Sequence, residues 1–333
     1  MRRGVMYAMM AGAIWGTVFL VPRLLPDFAP VLLGAARCMM YGVVSLVAAL
    51  PMARRLAGKL TRADLVAVGK LALVGNLVYY VFLTAGVHSV GIGPSSLIVG
   101  VLPVTVTLAG RRDAGAVPLE RLVWPLLFVI AGIVCINVDL FAAGPIESGP
   151  GSVLGKLLGV LCAVGALLSW TWFAVENTRY LQRNPRFDGN EWSVLLGLVT
   201  GVLGAVLWVV CALLPGSPLP GLHAVPRWHT FWLLNLGLAV GASWLGTGLW
   251  NAASKRIPLT LSGQLIVFET LFALLYGFVY DARLPRPLET AAIALLLAGV
   301  TWAVRRHEDE DEDEHHEDGR TTAMDACADT PAR

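Results

Sequence analysis

The sequence predicts an all-α membrane protein of ten transmembrane helices, built as two inverted five-helix repeats. Three observations carry this. Nearly all of residues 1–304 falls into apolar stretches of bilayer-crossing length. The chain is 56% hydrophobic and only 14% charged; crossing a hydrocarbon core of ~30 Å takes ~20 helical residues, and these can carry few charges. Finally, short stretches of the first half echo stretches of the second.

The predicted spans are 5–24, 30–50, 65–86, 93–110, 122–140, 153–175, 191–213, 230–252, 259–279 and 286–304. Helices are expected because lipid offers no partner to an unpaired backbone group. A transmembrane barrel would alternate over ~10-residue segments, and a run such as Leu195–Val210 does not. Arg2 and Arg3 before the first span resemble the start of a signal peptide. No small-residue cleavage site leads from it into a soluble domain, so a retained helix is expected.

Lys and Arg positions set the expected orientation. With the N-terminus inside, the inner segments hold Arg2 and Arg3; Arg54, Arg55, Lys59 and Arg62; Arg111, Arg112 and Arg121; Arg179, Arg183 and Arg186; Lys255 and Arg256; Arg305 and Arg306. The outer connections and their flanks hold only Arg23, Lys156, Arg227, Arg283 and Arg286. Both termini are therefore expected in the cytoplasm. Residues 305–333 read as a disordered acidic tail, because a like-charge run such as 308–318 cannot bury surface. No basic segment interleaves with aromatics, so nucleic acid is not an expected partner. Cys38, Cys135, Cys162 and Cys211 lie in spans and Cys327 in the tail; none has metal or redox spacing, and no metal or cofactor is expected.

Ten spans divide into residues 1–150 and 151–304. Trp15, in residues 10–24, stands opposite Trp170 in 165–180, and Gly86–Pro103 runs parallel to Ala253–Thr270. An odd number of spans per half inserts the second copy upside down. The charges agree: 87–91, after span 3, has no Lys or Arg, whereas its counterpart after span 8 contains Lys255 and Arg256. Inverted repeats suit alternating access, since exchanging the conformations of the halves turns an outward-open state inward.

These residues resemble the ten-helix, EamA-like branch of the drug/metabolite transporter superfamily. The resemblance rests on Ala13-Ile14-Trp15-Gly16, Ala35-Ala36-Arg37, Leu167-Leu168-Ser169-Trp170, and Ala253-Ser254-Lys255-Arg256-Ile257 followed by Phe268-Glu269. It covers essentially 1–304. It implies a secondary carrier of small organic metabolites, with a path lined mainly by spans 1, 3, 4, 6, 8 and 9. Thr270 departs from the family's usual proline after the Glu, so the resemblance leaves a proline bend in span 9 open, while Pro103 keeps one in span 4.

Glu269 is the leading functional candidate, because a carboxylate near mid-span is costly unless hydrated, paired or protonated. It is read as a proton or cation site, or else as a hydrogen-bonded packing residue. Arg37 is close enough to the outer start of span 2 to snorkel or cap carbonyls, the preferred reading; pairing with a substrate carboxylate is the alternative. Polar and aromatic stripes add Asn76 and Tyr80 on span 3, Ser96 on span 4, Ser169 and Trp172 on span 6, Trp244, Thr247 and Asn251 on span 8, and Tyr276 on span 9. Trp15 and Trp170 join them because they sit mid-span rather than at an interface. Gly91, Gly93, Pro94 and Pro258 are expected hinges. Gly12-x-x-x-Gly16, Gly155-x-x-x-Gly159, Gly197-x-x-x-Gly201 and Gly237-x-x-x-Gly241 are packing motifs first, with a homodimer contact open through any of them.

The function expected is a non-enzymatic exporter in the bacterial inner membrane, drawing on a substrate or proton gradient through Glu269. No P-loop is present. Amino acids, amines and drug-like solutes all fit the lining. The alternative, an intramembrane enzyme acting on a lipid or polyprenyl substrate, needs carboxylates or histidines clustered near one interface; Asp139, Glu176 and Glu191 are scattered.

Overall fold

The computed structural model describes residues 1–25, 27–90, 95, 98–113, 116–142, 153–214 and 227–328, and every regular element among them is helical. Helix α1 (Arg2–Gly16) passes through a tight 3-10 turn, Thr17–Phe19, into α2 (Leu20–Leu24). α3 (Pro30–Ala49) leads through a second 3-10 turn to α4 (Ala53–Lys59). α5 (Arg62–Ala72) and α6 (Tyr79–Val90) are joined by a π-helical segment, Leu73–Val78. α7 (Leu102–Ala109), α8 (Leu119–Ala142), α9 (Val153–Arg183) and α10 (Gly189–Leu213) follow. α11 (Trp228–Leu238) and α12 (Thr247–Ser254) flank a second π segment, Ala239–Gly246. The chain continues with α13 (Leu259–Leu265), α14 (Val267–Tyr280) and α15 (Pro287–Ala328).

Among the described residues, seven rods are long and apolar enough to cross a membrane: Val31–Lys59, Arg62–Leu83, Gly155–Arg183, Gly189–Leu213, Trp228–Ser254, Leu259–Tyr280 and Pro287–Asp309. They correspond to seven of the expected spans. The first span is interrupted by its 3-10 turn, the fourth is described in part, and the fifth is α8. Span 9 is broken at Ile266 although Thr270 stands where the family usually has proline: the Glu269 amide donates to the Ile266 carbonyl at 3.0 Å, a tighter turn than an α-helix makes. Pro258 caps α13 in extended conformation (ψ 151°). The other expected hinges, Gly91, Gly93 and Pro94, lie outside the described residues. α15 extends helically to Ala328, because lengthening an already nucleated helix needs no new nucleus.

Lipid supplies no hydrophobic drive between helices, so close approach of small residues must hold them together. The long α3–α10 contact shows how. A Cβ placed on Gly42 would stand 2.5 Å from the Gly201 Cα, so the two backbones touch. One turn to either side, Gly197 meets Ser45 and Gly204 meets Cys38. Gly12 and Gly16 of α1 likewise seat the Phe268–Ala273 backbone of α14. Among the described residues Gly237-x-x-x-Gly241 makes no such contact: Gly237 has open space, and Gly241 is approached by Ile14 at 3.6 Å. Elsewhere α6 packs on α9, α7 on α13, α8 on α15, and α1 on α12.

The expected inner segments gather at one end of the bundle. Arg2 approaches Glu308 (3.8 Å), Gly4 abuts Arg256 and Ile257, and the Lys255 ammonium donates to the carbonyls of Pro185 and Phe187. Two capping boxes there, Thr61/Asp64 on α5 and Asp188/Glu191 on α10, present fully buried carboxylates to basic partners. Asp64 accepts from Tyr180 and Arg186, each at 2.5 Å. Glu191 accepts from Lys59 (2.7 Å) and pairs with Arg55 (2.6 Å). Removing a buried partner strands its cations, so Glu191→Ala is expected to cost about 3 kcal/mol. Glu176→Ala, whose side chain is 44% exposed, should cost less than ~1 kcal/mol. Thermal unfolding in detergent checks the ranking.

Candidate functional site

Between α3, the two π segments, α6, α9, α10 and α12 lies a cavity of about 80 Å³. α3 contributes Gly34, Arg37, Cys38 and Tyr41, which recur at helical spacing and so share one face. Gly75 and Asn76 come from the first π segment and Ser243 from the second; Tyr79, Tyr80, Trp170, Thr200 and Thr247 complete the wall. π turns are rare and concentrate at functional sites. Here both border the same space.

The wall is held by hydrogen bonds across helices. The Tyr41 hydroxyl donates to the Ser193 carbonyl at 2.5 Å, and Asn76 Nδ2 donates to Thr200 Oγ1 at 3.2 Å. Trp15 Nε1 donates to the Ala242 carbonyl (2.8 Å), securing the second π segment, and its ring meets Trp170 edge-on at 6.5 Å. Arg37 Nε donates to Ser243 Oγ at 3.1 Å.

The structure therefore places Asn76, Tyr80, Trp170 and Thr247 on the cavity wall, with Trp15 directly behind it. Ser169 is buried in α9, and Ser96 lies outside the described residues. Four others are engaged elsewhere. Trp172 is 38% exposed on the bundle's surface. Trp244 Nε1 donates to Asn190 Oδ1 (2.8 Å). Asn251 accepts from Asn177, which in turn accepts from Trp192 Nε1, both at 2.8 Å. The Tyr276 hydroxyl donates to the Ala13 carbonyl (2.9 Å), tying α14 to α1. Glu269 is not on the wall. It sits in the first turn of α14, immediately after the break at Ile266, and interacts electrostatically with Arg37 and Tyr79. Among the described residues its carboxylate accepts no side-chain hydrogen bond and forms no ion pair.

Tyr41, Tyr79, Thr200 and Ser243 line the cavity without having been singled out from the sequence, and Arg37, read first as snorkelling or capping carbonyls, lines it too. The usable signal was the Gly34, Arg37, Cys38, Tyr41 spacing, a polar stripe on an otherwise apolar helix.

Such a cavity can hold a polar fragment of a solute in mid-bundle, away from lipid. The sequence pattern of the EamA-like transporter family matches residues 2–138. The inner membrane protein YtfF of Escherichia coli (strain K12) is 31% identical over 309 residues, covering 91% of this chain and 95% of its own. A solved structure described as "Crystal structure of protein" shares the fold, with a TM-score of 0.71 over 92% of this chain and 98% of that one, at 21% identity. The chain belongs to the EamA-like transporter family.

Proposed function

We propose that the protein is a secondary transporter that moves a small organic solute across the bacterial inner membrane by alternating access between two inverted five-helix halves, residues 1–150 and 151–304. The observation that carries this is the polar cavity enclosed by helices of both halves, bordered by a π segment from each. When Gly86–Pro103 is set against Ala253–Thr270, the two π segments fall at the same place. Exchanging the halves also maps the packing pairs onto one another: α3 with α10, α7 with α13 and α8 with α15 each exchange partners, while α6 on α9 becomes α12 on α1. Inverted repeats predict that pattern.

The cavity is well below the ~300 Å³ at which pockets begin to hold drug-sized ligands. This reading therefore takes it as a contracted site that widens as one half rocks against the other. The end carrying Arg55, Lys59, Arg186 and Lys255 is the cytoplasmic one by charge bias, with both termini there. Export is the proposed direction, and Glu269 the proposed proton site. The enzyme alternative loses support because Asp64 and Glu191, the buried carboxylates of that end, are occupied by cations.

Reconstitution tests it. Proteoliposomes given a panel of radiolabelled amino acids, amines and drug-like solutes, with and without a pH gradient, are expected to take up at least one class above empty vesicles and to respond to the gradient. Uptake of none, in vesicles shown to hold folded protein, would overturn the reading.

A further inference from the structure

Arg37 is a charge within a membrane bundle, and among the described residues most of its donors are unused. Its Nε is held by Ser243 Oγ at 3.1 Å. Among the described residues the two terminal amino groups of the guanidinium make no hydrogen bond, and no carboxylate comes within ion-pairing distance of them. Snorkelling would have carried the head to an interface; instead Arg37 lies on the wall of the central cavity, among Tyr41, Tyr80, Asn76 and Thr247. These neighbours are neutral. The groups coupled to it electrostatically are Cys38, Tyr41, Tyr79, Tyr80 and Glu269.

A guanidinium removed from bulk water retains its cost until its donors are filled. Two parallel N–H groups match a planar carboxylate in two-point geometry. Holding only Nε, Ser243 fixes the fork and leaves its open edge to a ligand. We propose that Arg37 is the anchor for a carboxylate group on the transported solute. The site then selects small organic acids and zwitterions over plain amines. This narrows the transport reading given above and rests on it. Among the amino acids, amines and drug-like solutes that fit the lining by sequence, it singles out those that carry a carboxylate.

The test separates recognition from movement. Purified wild type, Arg37→Lys and Arg37→Gln are compared by ligand-induced thermal stabilisation and by proteoliposome uptake. The probes are matched sets: a 2-amino carboxylate, its primary amide, its decarboxylated amine, and a phosphate monoester of similar size. Wild type is expected to bind the carboxylate at least about 10-fold more tightly than its amide. Arg37→Gln should lose that preference, by about 10- to 100-fold, while its weak response to the amine stays unchanged. Arg37→Lys should keep part of it. A merely structural arginine would not change the ratio of carboxylate to amide.

Equal binding of acid and amide by wild type overturns the proposal. So does a preference that survives in Arg37→Gln, tighter binding of the phosphate monoester than of the carboxylate, or no binding of any carboxylate. If the carboxylate binds through Arg37 yet nothing crosses the vesicle membrane, the anchor stands and the transport reading fails. If Arg37→Gln does not fold, the wild-type acid-to-amide ratio and Arg37→Lys still decide.

Discussion

A single added side chain at Gly201 is expected to part the two helices that hold the halves together. The Gly42 and Gly201 backbones are already in contact, and a Cβ on Gly201 would lie 2.4 Å from the Gly42 Cα. Backbone cannot swing aside as a rotamer can, so the whole helix must move. That movement would undo the Gly197–Ser45 and Gly204–Cys38 contacts on either side. Overpacking a core ordinarily costs about 1–3 kcal/mol, and a backbone collision running along a whole interface belongs at or beyond the upper end. Gly201→Val should leave little monodisperse protein on size-exclusion chromatography. Gly58→Ala, Gly69→Ala and Gly237→Ala are the controls, since a Cβ there meets nothing within 4 Å among the described residues. They should be neutral or stabilising by about 0.5–1 kcal/mol, through helix propensity. Equal tolerance of valine at Gly201 and Gly237 would refute this account of the packing.

Glu269→Gln is expected to abolish accumulation driven by a pH gradient while leaving the protein folded. The carboxylate has no hydrogen-bonding partner among the described side chains, so losing its charge strands no donor. Glutamine matches its shape but cannot take up or release a proton. Glu269 lies in the first turn of α14, where its charge is felt by Arg37 and Tyr79. Counterflow of labelled against unlabelled solute should persist in Glu269→Gln, and gradient-driven uptake should fall to that of empty vesicles. Retention of gradient-driven uptake would remove Glu269 from the coupling step.

The placement of the helices was largely legible because hydropathy and charge bias act on whole segments, and a shift of a few residues leaves them intact. The Gly12/Gly16 and Gly197/Gly201 contacts were readable for the same reason: a missing side chain permits close approach wherever a partner exists. Gly237 shows the converse, since the spacing alone does not supply a partner. The stripes fared less well. Trp244, Thr247 and Asn251 share a face only if residues are counted at α-helical pitch. The π segment Ala239–Gly246 carries surplus chain, and one residue is worth about 100° on the helical wheel. Ser243 therefore turns to the cavity with Thr247, and Trp244 turns toward Asn190. Trp172 and Trp170 differ similarly, because nothing in an apolar span says which side meets lipid. Arg37 shows a related limit: sequence distance suggests a depth, whereas direction follows from the face of α3 that carries Gly34, Cys38 and Tyr41, which puts Arg37 on the cavity wall.

A rod that already stores an extra residue tolerates shortening where its neighbours do not. Deleting one position from an ordinary span twists everything beyond it and misaligns every contact down to the next loop. Within Leu73–Val78 or Ala239–Gly246 the same deletion lets the wide turn relax to normal pitch, and the flanks keep their bearings. Length variation among homologues should therefore be found inside these two rods as well as in the loops, and each such event would redraw the chamber wall while sparing the scaffold.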